Sequence, residues 1–478
     1  MYSQHNKKYN DYLTFFGVSQ EDLKKLVSIA LSNGGEYADL YFEHTIANEL
    51  SLRDGEVNAT GTHIDYGVGI RVISGEQTGY AYSETTTLPE MEKAARMAAQ
   101  IASGGGKNLN IPITSVLKGK NFYPVKKGWE KISVSYKIPY LQELNTLLFE
   151  GDSRVVKAMG RISDSNTRIL FYNSYGESFT DERPMISVIA SCVMEENGRT
   201  ENGSSSRSFR KGFEMLDPAL IKELAQEVIS RTAFLFGATQ PKGGQMPVVM
   251  GSGGSGILLH EAIGHAFEAD FNRKNTSIFS DKMGQKICHE SINVVDDGTI
   301  TANRGSCNFD DEGIPGQKTY MVKEGILHSY LHDRISAGYY GVAPTGNGRR
   351  ESFRFMPIPR MRATYMENGT IPEKDIIASV KKGIYVDTFS NGQVQIGAGD
   401  FTFYVKSGYL IENGRLTMPV KDINIIGNGP QALEDIIAVA DNGKIENATW
   451  TCGKEQYCPV SCGMPSVLVK KLTVGGTN

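Results

Sequence analysis

Gly256-Ile257-Leu258-Leu259-His260-Glu261-Ala262-Ile263-Gly264-His265-Ala266-Phe267 places two imidazoles and a carboxylate inside an apolar run that reads as a helix. Neutral imidazole is a good zinc ligand, and a carboxylate next to the first ligand can act as general base on a metal-activated water. The stretch points to a metallohydrolase, most simply a peptidase. The familiar zinc-protease helix spaces its histidines four apart, whereas here positions 260 and 265 are five apart. On a regular α-helix that separates the rings by roughly 140°, too much for one ion. A π-bulge would return both to one face. The spacing therefore predicts a distorted helix around Ile263 to His265, with Gly264 where distortion costs least.

The plain alternative is a buried helix with two satisfied histidines. Against it, the chain has only eight histidines, and two of them bracket this carboxylate. The glycine loop Gly251-Ser252-Gly253-Gly254-Ser255-Gly256 feeds the helix start, where backbone N–H groups can meet an anionic or carbonyl group. It lacks the Gly-Lys-Ser/Thr ending of a phosphate loop. A catalytic zinc usually takes three protein ligands and keeps a fourth position for water. Candidates for the third are His289, Cys288, Glu268, Asp270, Cys452, Cys458 and Cys462, and local sequence does not choose among them. Cys452 precedes a glycine turn with Lys454 nearby, a setting that favours thiolate. Cys458 and Cys462 lack the two-residue spacing of a zinc knuckle.

Composition narrows the classes. The chain has 478 residues, enough for several domains, and a net charge of −4 without a basic stripe, so nucleic acid is not a favoured partner. Six cysteines are too sparse for a disulfide framework and fit a reducing compartment. No apolar run spans a bilayer, and residues 12–18 do not make a signal peptide, so a cytoplasmic protein without membrane attachment is expected.

The pattern along the chain is α+β. After an N-terminal extension (1–18), a first unit (19–110) reads as helix Ser19–Leu31, strands within 39–83, and helix Pro89–Ile101 ending at Gly104-Gly105-Gly106. A middle α+β unit (111–240) has a helix near Tyr140–Phe149, strands within 167–194, a loop at Gly203-Ser204-Ser205-Ser206, and helix Pro218–Phe236. The last unit (241–478) reads as β-rich, carrying the histidine helix, with turns at Asp297-Gly298, Glu324-Gly325, Asn368-Gly369, Asn391-Gly392 and Asn413-Gly414. Asp296-Asp297 and Asp310-Asp311-Glu312 read as turn-capping carboxylates rather than a second metal site.

With these residues in place, the chain from about residue 19 onward resembles the TldD/PmbA metallopeptidases, once described as modulators of DNA gyrase. The resemblance rests on the helix stretch 256–265, then Asp296-Asp297-Gly298, Phe309-Asp310-Asp311-Glu312-Gly313, Thr345-Gly346-Asn347-Gly348-Arg349-Arg350 and Pro357-Ile358-Pro359-Arg360-Met361, and finally Cys452-Gly453-Lys454-Glu455-Gln456, Pro459-Val460 and Gly463-Met464-Pro465. It implies Zn²⁺ bound by His260, His265 and Cys452, with Glu261 as the base, on the TldD-like catalytic branch. It further implies cleavage of short, unfolded or leader-type peptides in a chamber formed by two subunits. The pair would be a homodimer, or a heterodimer with a PmbA (TldE)-type subunit lacking the metal motif. Ile358, Arg362, Cys458 and Cys462 depart from the family pattern and leave that ligand set untouched.

Candidate substrate or oxyanion contacts are His332, Gly346, Asn347, Arg349, Arg350 and Gly399. Gly397-Ala398-Gly399-Asp400-Phe401 reads as a strand that a peptide backbone can approach. The competing functions are a non-catalytic modulator of a gyrase, toxin–antitoxin or peptide-maturation system, and a zinc amidase.

Overall fold

In the computed structural model, residues 2–102, 111–395 and 397–476 are described, with side chains from residue 7 onward. Gly104-Gly105-Gly106 lies outside the described residues. The fold is α+β. Ser19 caps helix Gln20–Ala30 through a reciprocal capping box with Asp22, as the sequence suggests. The extension is itself helix Tyr2–Phe16, and Tyr9, Tyr12, Leu13 and Phe16 are buried with Leu23, Leu26 and Val27.

The first sheet is seven-stranded and runs through the expected boundary at residue 110. Strand Tyr37–Arg53 pairs with Val155–Asn173 from Asp39↔Asn173 to Arg53↔Met159, so the first two units share one ladder. These strands are longer than the hydrophobic pattern indicates. The strand-like runs 39–44 and 49–53 fuse because Thr45 to Asn48, which break the apolar/polar alternation, stay in register. Gly203 to Ser206 form part of strand Arg199–Phe209, not a loop. Their composition misleads because this polar strand packs under helix Pro218–Gly237: a Cβ at Gly203 would collide with the Thr232 side chain.

In the C-terminal half, strands Arg415–Asn428, Asp400–Glu412, Lys382–Gln395, Gly244–Met250 and Val467–Gly475 pair in that order, and the last pairs back with the first, closing a barrel. The histidine helix shares a core with its walls, Ile257, Leu258, Ile263 and Phe267 clustering with Val248, Val386, Phe403 and Val469. Asn391-Gly392 is not a turn. It lies inside the long strand Lys382–Gln395 beside a register irregularity at Phe389/Asn391, with Gly392 pressed against the Phe403 ring. Glu324-Gly325 and Asn413-Gly414 are turns with positive φ, as expected.

Buried charge joins the halves. Arg71 of the first sheet pairs with Asp39 and, at 2.6 Å, with Glu312, while Arg183 reaches Asp311 at 2.6 Å. Asp310 Oδ1 accepts the N–H groups of Glu312 and Ile314, so this acidic run caps its own turn. Glu43 accepts the Phe353 N–H at 2.7 Å and the Thr45 hydroxyl at 2.7 Å. Burial pushes its carboxyl up to about 7 despite those bonds. A carboxyl raised in the folded state lends stability that is complete below its ordinary pKa and lost as pH rises through the folded value. The Glu43→Gln variant, which does not titrate, should therefore gain on the wild type by about 3 kcal/mol between pH 4.5 and pH 8. Denaturation curves at both pH values check this, and a gap independent of pH would refute it.

Candidate metal centre

The histidine stretch begins as helix Ile257–Leu259, becomes a π-helix over His260–Gly264, and tightens to a 3₁₀ turn at His265–Phe267. The His265 N–H donates to the His260 carbonyl, the five-residue bond that returns both rings to one side. Their centroids are 5.1 Å apart. Gly264 has an ordinary helical φ of −58°, so it is not needed for backbone freedom. It is needed for space, because a Cβ there would run into the Met361 sulfur.

The third group arrives from strand Thr451–Lys454, which forms a tight hairpin with Gln456–Pro459. Cys452 Sγ lies 3.2 Å from His265 Nε2, and the donor atoms of His260, His265 and Cys452 all fall within 4.8 Å of one another. All three side chains are buried. Burial alone would raise the Cys452 thiol, but the two imidazoles bring it down to about 4. Burial opposes charge on His265, yet Glu268 and Cys452 hold its imidazolium well above the ordinary range. The cluster is therefore a thiolate among donors that would otherwise carry protons, the state a cation would replace.

Arginines lock the hairpin. Arg360 Nη2 donates to the Cys452 carbonyl at 2.7 Å and Nη1 to that of Gln456 at 2.7 Å. Arg304 donates to the Trp450 carbonyl at 3.0 Å and to Ser208 of the first sheet at 2.6 Å, so the N-terminal half braces this strand. Glu261 is half-buried and lines the same cleft as the cluster, about 280 Å³ in volume, together with Gly392, Trp450 and Cys462. Trp450 also borders a neighbouring cleft of about 420 Å³ whose wall includes Gly253, Gly254, Glu446 and residues 387–390.

The substrate candidates are placed elsewhere. None of the six substrate candidates lines either cleft. Asn347 is buried and donates to Asp296 and the Arg360 carbonyl. Arg349 donates to the Met361 and Pro459 carbonyls, and Arg350 packs on Tyr41 and donates to Tyr80. Gly346 is a positive-φ turn whose carbonyl accepts from Arg362, and Gly399 is a positive-φ turn between barrel strands. His332 is buried among tyrosines, and burial pulls its imidazole down to about 4. Asn347, Arg349, Arg350 and Gly346 tie irregular backbone in this way, a duty that a motif rich in arginine and asparagine serves as readily as ligand binding. Among the ligand alternatives, His289 is exposed beside Ser291, Asp270 pairs with Lys454 at 2.7 Å, and Glu268 sits behind His265. Sequence reasoning missed Gly392 and Trp450 as cleft residues, and no local signal marked either.

Comparison with known proteins gives the class and then the family. Relatives named as metalloproteases match over nearly the whole length. A Haemophilus influenzae metalloprotease TldD homolog is 38% identical over 480 residues, covering 99% of this chain and 100% of that protein. A metalloprotease of Methanocaldococcus jannaschii is 30% identical over 457 residues, covering 93% and 97%. The class is thus that of a metalloprotease. Sequence profiles of the PmbA/TldA metallopeptidases match as domain 1 at 38–102, central domain at 127–233 and C-terminal domain at 243–476, and the chain belongs to this PmbA/TldD family. The fold recurs in TldE from Thermococcus kodakarensis, with a TM-score of 0.73 at 18% identity, over 95% of this chain and 100% of that one. It recurs also in a Thermotoga maritima chain described as a candidate modulator of a DNA gyrase, with a TM-score of 0.76 at 21% identity, over 95% and 100%.

The helix that carries the histidines starts flush against the Gly463 backbone, where a Cβ on Gly256 would overlap main-chain atoms that have nowhere to go. Gly256→Ala should destabilise the protein by about 1–3 kcal/mol, as overpacking does. Thermal denaturation reads this directly, and an unchanged melting temperature would count against the close approach.

Proposed function

We propose that this chain is a zinc-dependent peptidase that hydrolyses short, unfolded or leader-type peptides, with His260, His265 and Cys452 holding the ion and Glu261 as general base. The observation that carries the reading is the convergence of two imidazoles and a thiolate at one end of a cleft that also holds a half-buried glutamate. The donor set suits zinc. Calcium and magnesium take oxygen ligands, while zinc takes nitrogen and sulfur at roughly 2.0–2.3 Å. The 3.2 Å between Cys452 Sγ and His265 Nε2 is of the order that such bonds allow between neighbouring ligands. Bound there, zinc supplies Lewis acidity, polarising a carbonyl and bringing the pKa of water down to roughly 7.

The chain's own groups do the rest. The Glu261 carboxylate takes the proton of the attacking water and returns a proton to the leaving nitrogen. The barrel offers the peptide a strand edge. Lys382–Gln395 pairs with Gly244–Met250 only over Ile384–Val386, and its onward residues 387–390 and Gly392 border the two clefts. An extended peptide added to that edge gains main-chain hydrogen bonds with little sequence choice. This moves the docking edge from 397–401, which is largely a turn, to the strand before it. A purely modulatory role leaves the buried donor cluster without a purpose.

The partner is either a second copy or a TldE-type subunit, and the six free thiols fit a cytoplasmic setting. No helix of the described residues is long and apolar enough to cross a membrane.

Two outcomes follow. Glu261→Gln should keep stoichiometric zinc and lose roughly 10²-fold or more in turnover of an unstructured peptide pool, while Cys452→Ser should lose both zinc and turnover. Metal analysis paired with peptide mass spectrometry measures this, and retained turnover in Glu261→Gln removes the proposed base. Peptides N-methylated along the backbone should be cleaved far more slowly than peptides of shuffled sequence. Equal rates would argue against strand addition.

A further inference from the structure

Glu268 is fully buried, three positions after His265, and stands outside the donor cluster. His265 uses both ring nitrogens. Its Nε2 lies 3.2 Å from Cys452 Sγ, and its Nδ1 lies 2.9 Å from Glu268 Oε2. Glu268 therefore faces the back of the ring. The same Oε2 is 3.1 Å from Lys454 Nζ, and Oε1 is 3.8 Å from Arg360 Nε. Lys454 belongs to the hairpin that carries Cys452, and Arg360 grips that hairpin through the Cys452 and Gln456 carbonyls. Lys454 has a second anchor in Asp270 at 2.7 Å, so it does not depend on Glu268 alone. One carboxylate thus touches the His265 ring and the two cations that lie on or grip the distant strand. His260 has no such support: its Nδ1 is buried without a hydrogen-bond partner among the described residues.

We propose that Glu268 is a positioning residue of the metal centre, holding the His265 Nδ1 proton so that Nε2 is free to ligate, and fixing, through Lys454 and Arg360, the distance between that ring and Cys452. A metal-bound histidine commonly donates its other N–H to a carboxylate, which sets tautomer and ring orientation, and loss of such a partner costs 10- to 100-fold in metal affinity. The arrangement here adds a second duty. The two ligands come from segments 187 residues apart, and the carboxylate links both. Removing it frees the ring to rotate and leaves two buried cations beside the hairpin with less opposing charge.

The inference rests on the zinc reading above, and the experiment separates the two. Zinc affinity is measured by competition with a chromophoric chelator for the wild type, His260→Ala, Glu268→Gln and Glu268→Asp. Cobalt(II) loading reads the thiolate-to-metal absorption band. With the wild type binding zinc and His260→Ala failing to, Glu268→Gln should bind 10- to 100-fold more weakly and show a shifted or weakened cobalt–thiolate band. Glu268→Asp, which keeps the charge, should recover part of the affinity, and it carries the test if the glutamine variant does not fold. Wild-type affinity and an unaltered cobalt band in a folded Glu268 variant would overturn the positioning role and leave the zinc reading standing. No zinc bound by the wild type would overturn both.

Discussion

One backbone hydrogen bond governs the geometry of the candidate centre: the N–H of His265 to the carbonyl of His260. With the usual four-residue bond, the two imidazoles would diverge by roughly 140° and no single cation could touch both. A π-turn is intrinsically less favourable than a regular one, so its surroundings must hold it. They do so by packing. Met361 fills the space over Gly264, the Gly463 backbone fits against Gly256, and Ile257, Leu258 and Ile263 share the barrel core. The irregular turn lies where the two imidazoles converge, and apolar contacts surround it.

The second requirement is a thiolate brought from the end of the chain. Cys452 sits on a hairpin too short to be stable alone, and side chains from both halves hold it. Arg360 binds its carbonyls from one side, and Arg304 ties Trp450 to Ser208 of the first sheet on the other. The N-terminal sheet therefore has a structural stake in the candidate site although it contributes no donor to the cluster. The same logic explains the ion pairs of Arg71 and Arg183 with the 310–312 run, which fix one half against the other.

Much of this was legible in the sequence, and the failures have physical causes. Helices were readable because their signals are local: the capping box of Ser19 and Asp22, and Asp217 accepting the Ala219 and Leu220 N–H groups before Pro218. The histidine spacing alone foretold an irregular helix. Strand lengths were not readable, since Thr45 to Asn48 obey no apolar/polar alternation and are held by the backbone ladder together with polar cross-strand bonds such as Thr45 to Thr167 and Asn48 to Asp164. Asn391-Gly392 carries the strongest short turn signal and yet lies in a strand, because the glycine serves close packing against Phe403. Cys452 could be picked from among the cysteines only through resemblance, since nothing local reports contact across the chain. Arg349, Arg350 and Asn347 bind loop carbonyls away from both clefts, and a side chain that ties loops and one that grips a substrate look alike until the loops are in place.

The most direct test of the account is X-ray absorption at the zinc edge of the metal-loaded protein. The account predicts a first shell with one sulfur at about 2.3 Å and two imidazole nitrogens at about 2.0–2.1 Å, the remainder being light-atom donors. A shell of oxygen and nitrogen with no sulfur would contradict it, because Cys452 would then stand outside the centre that the fold assembles around it.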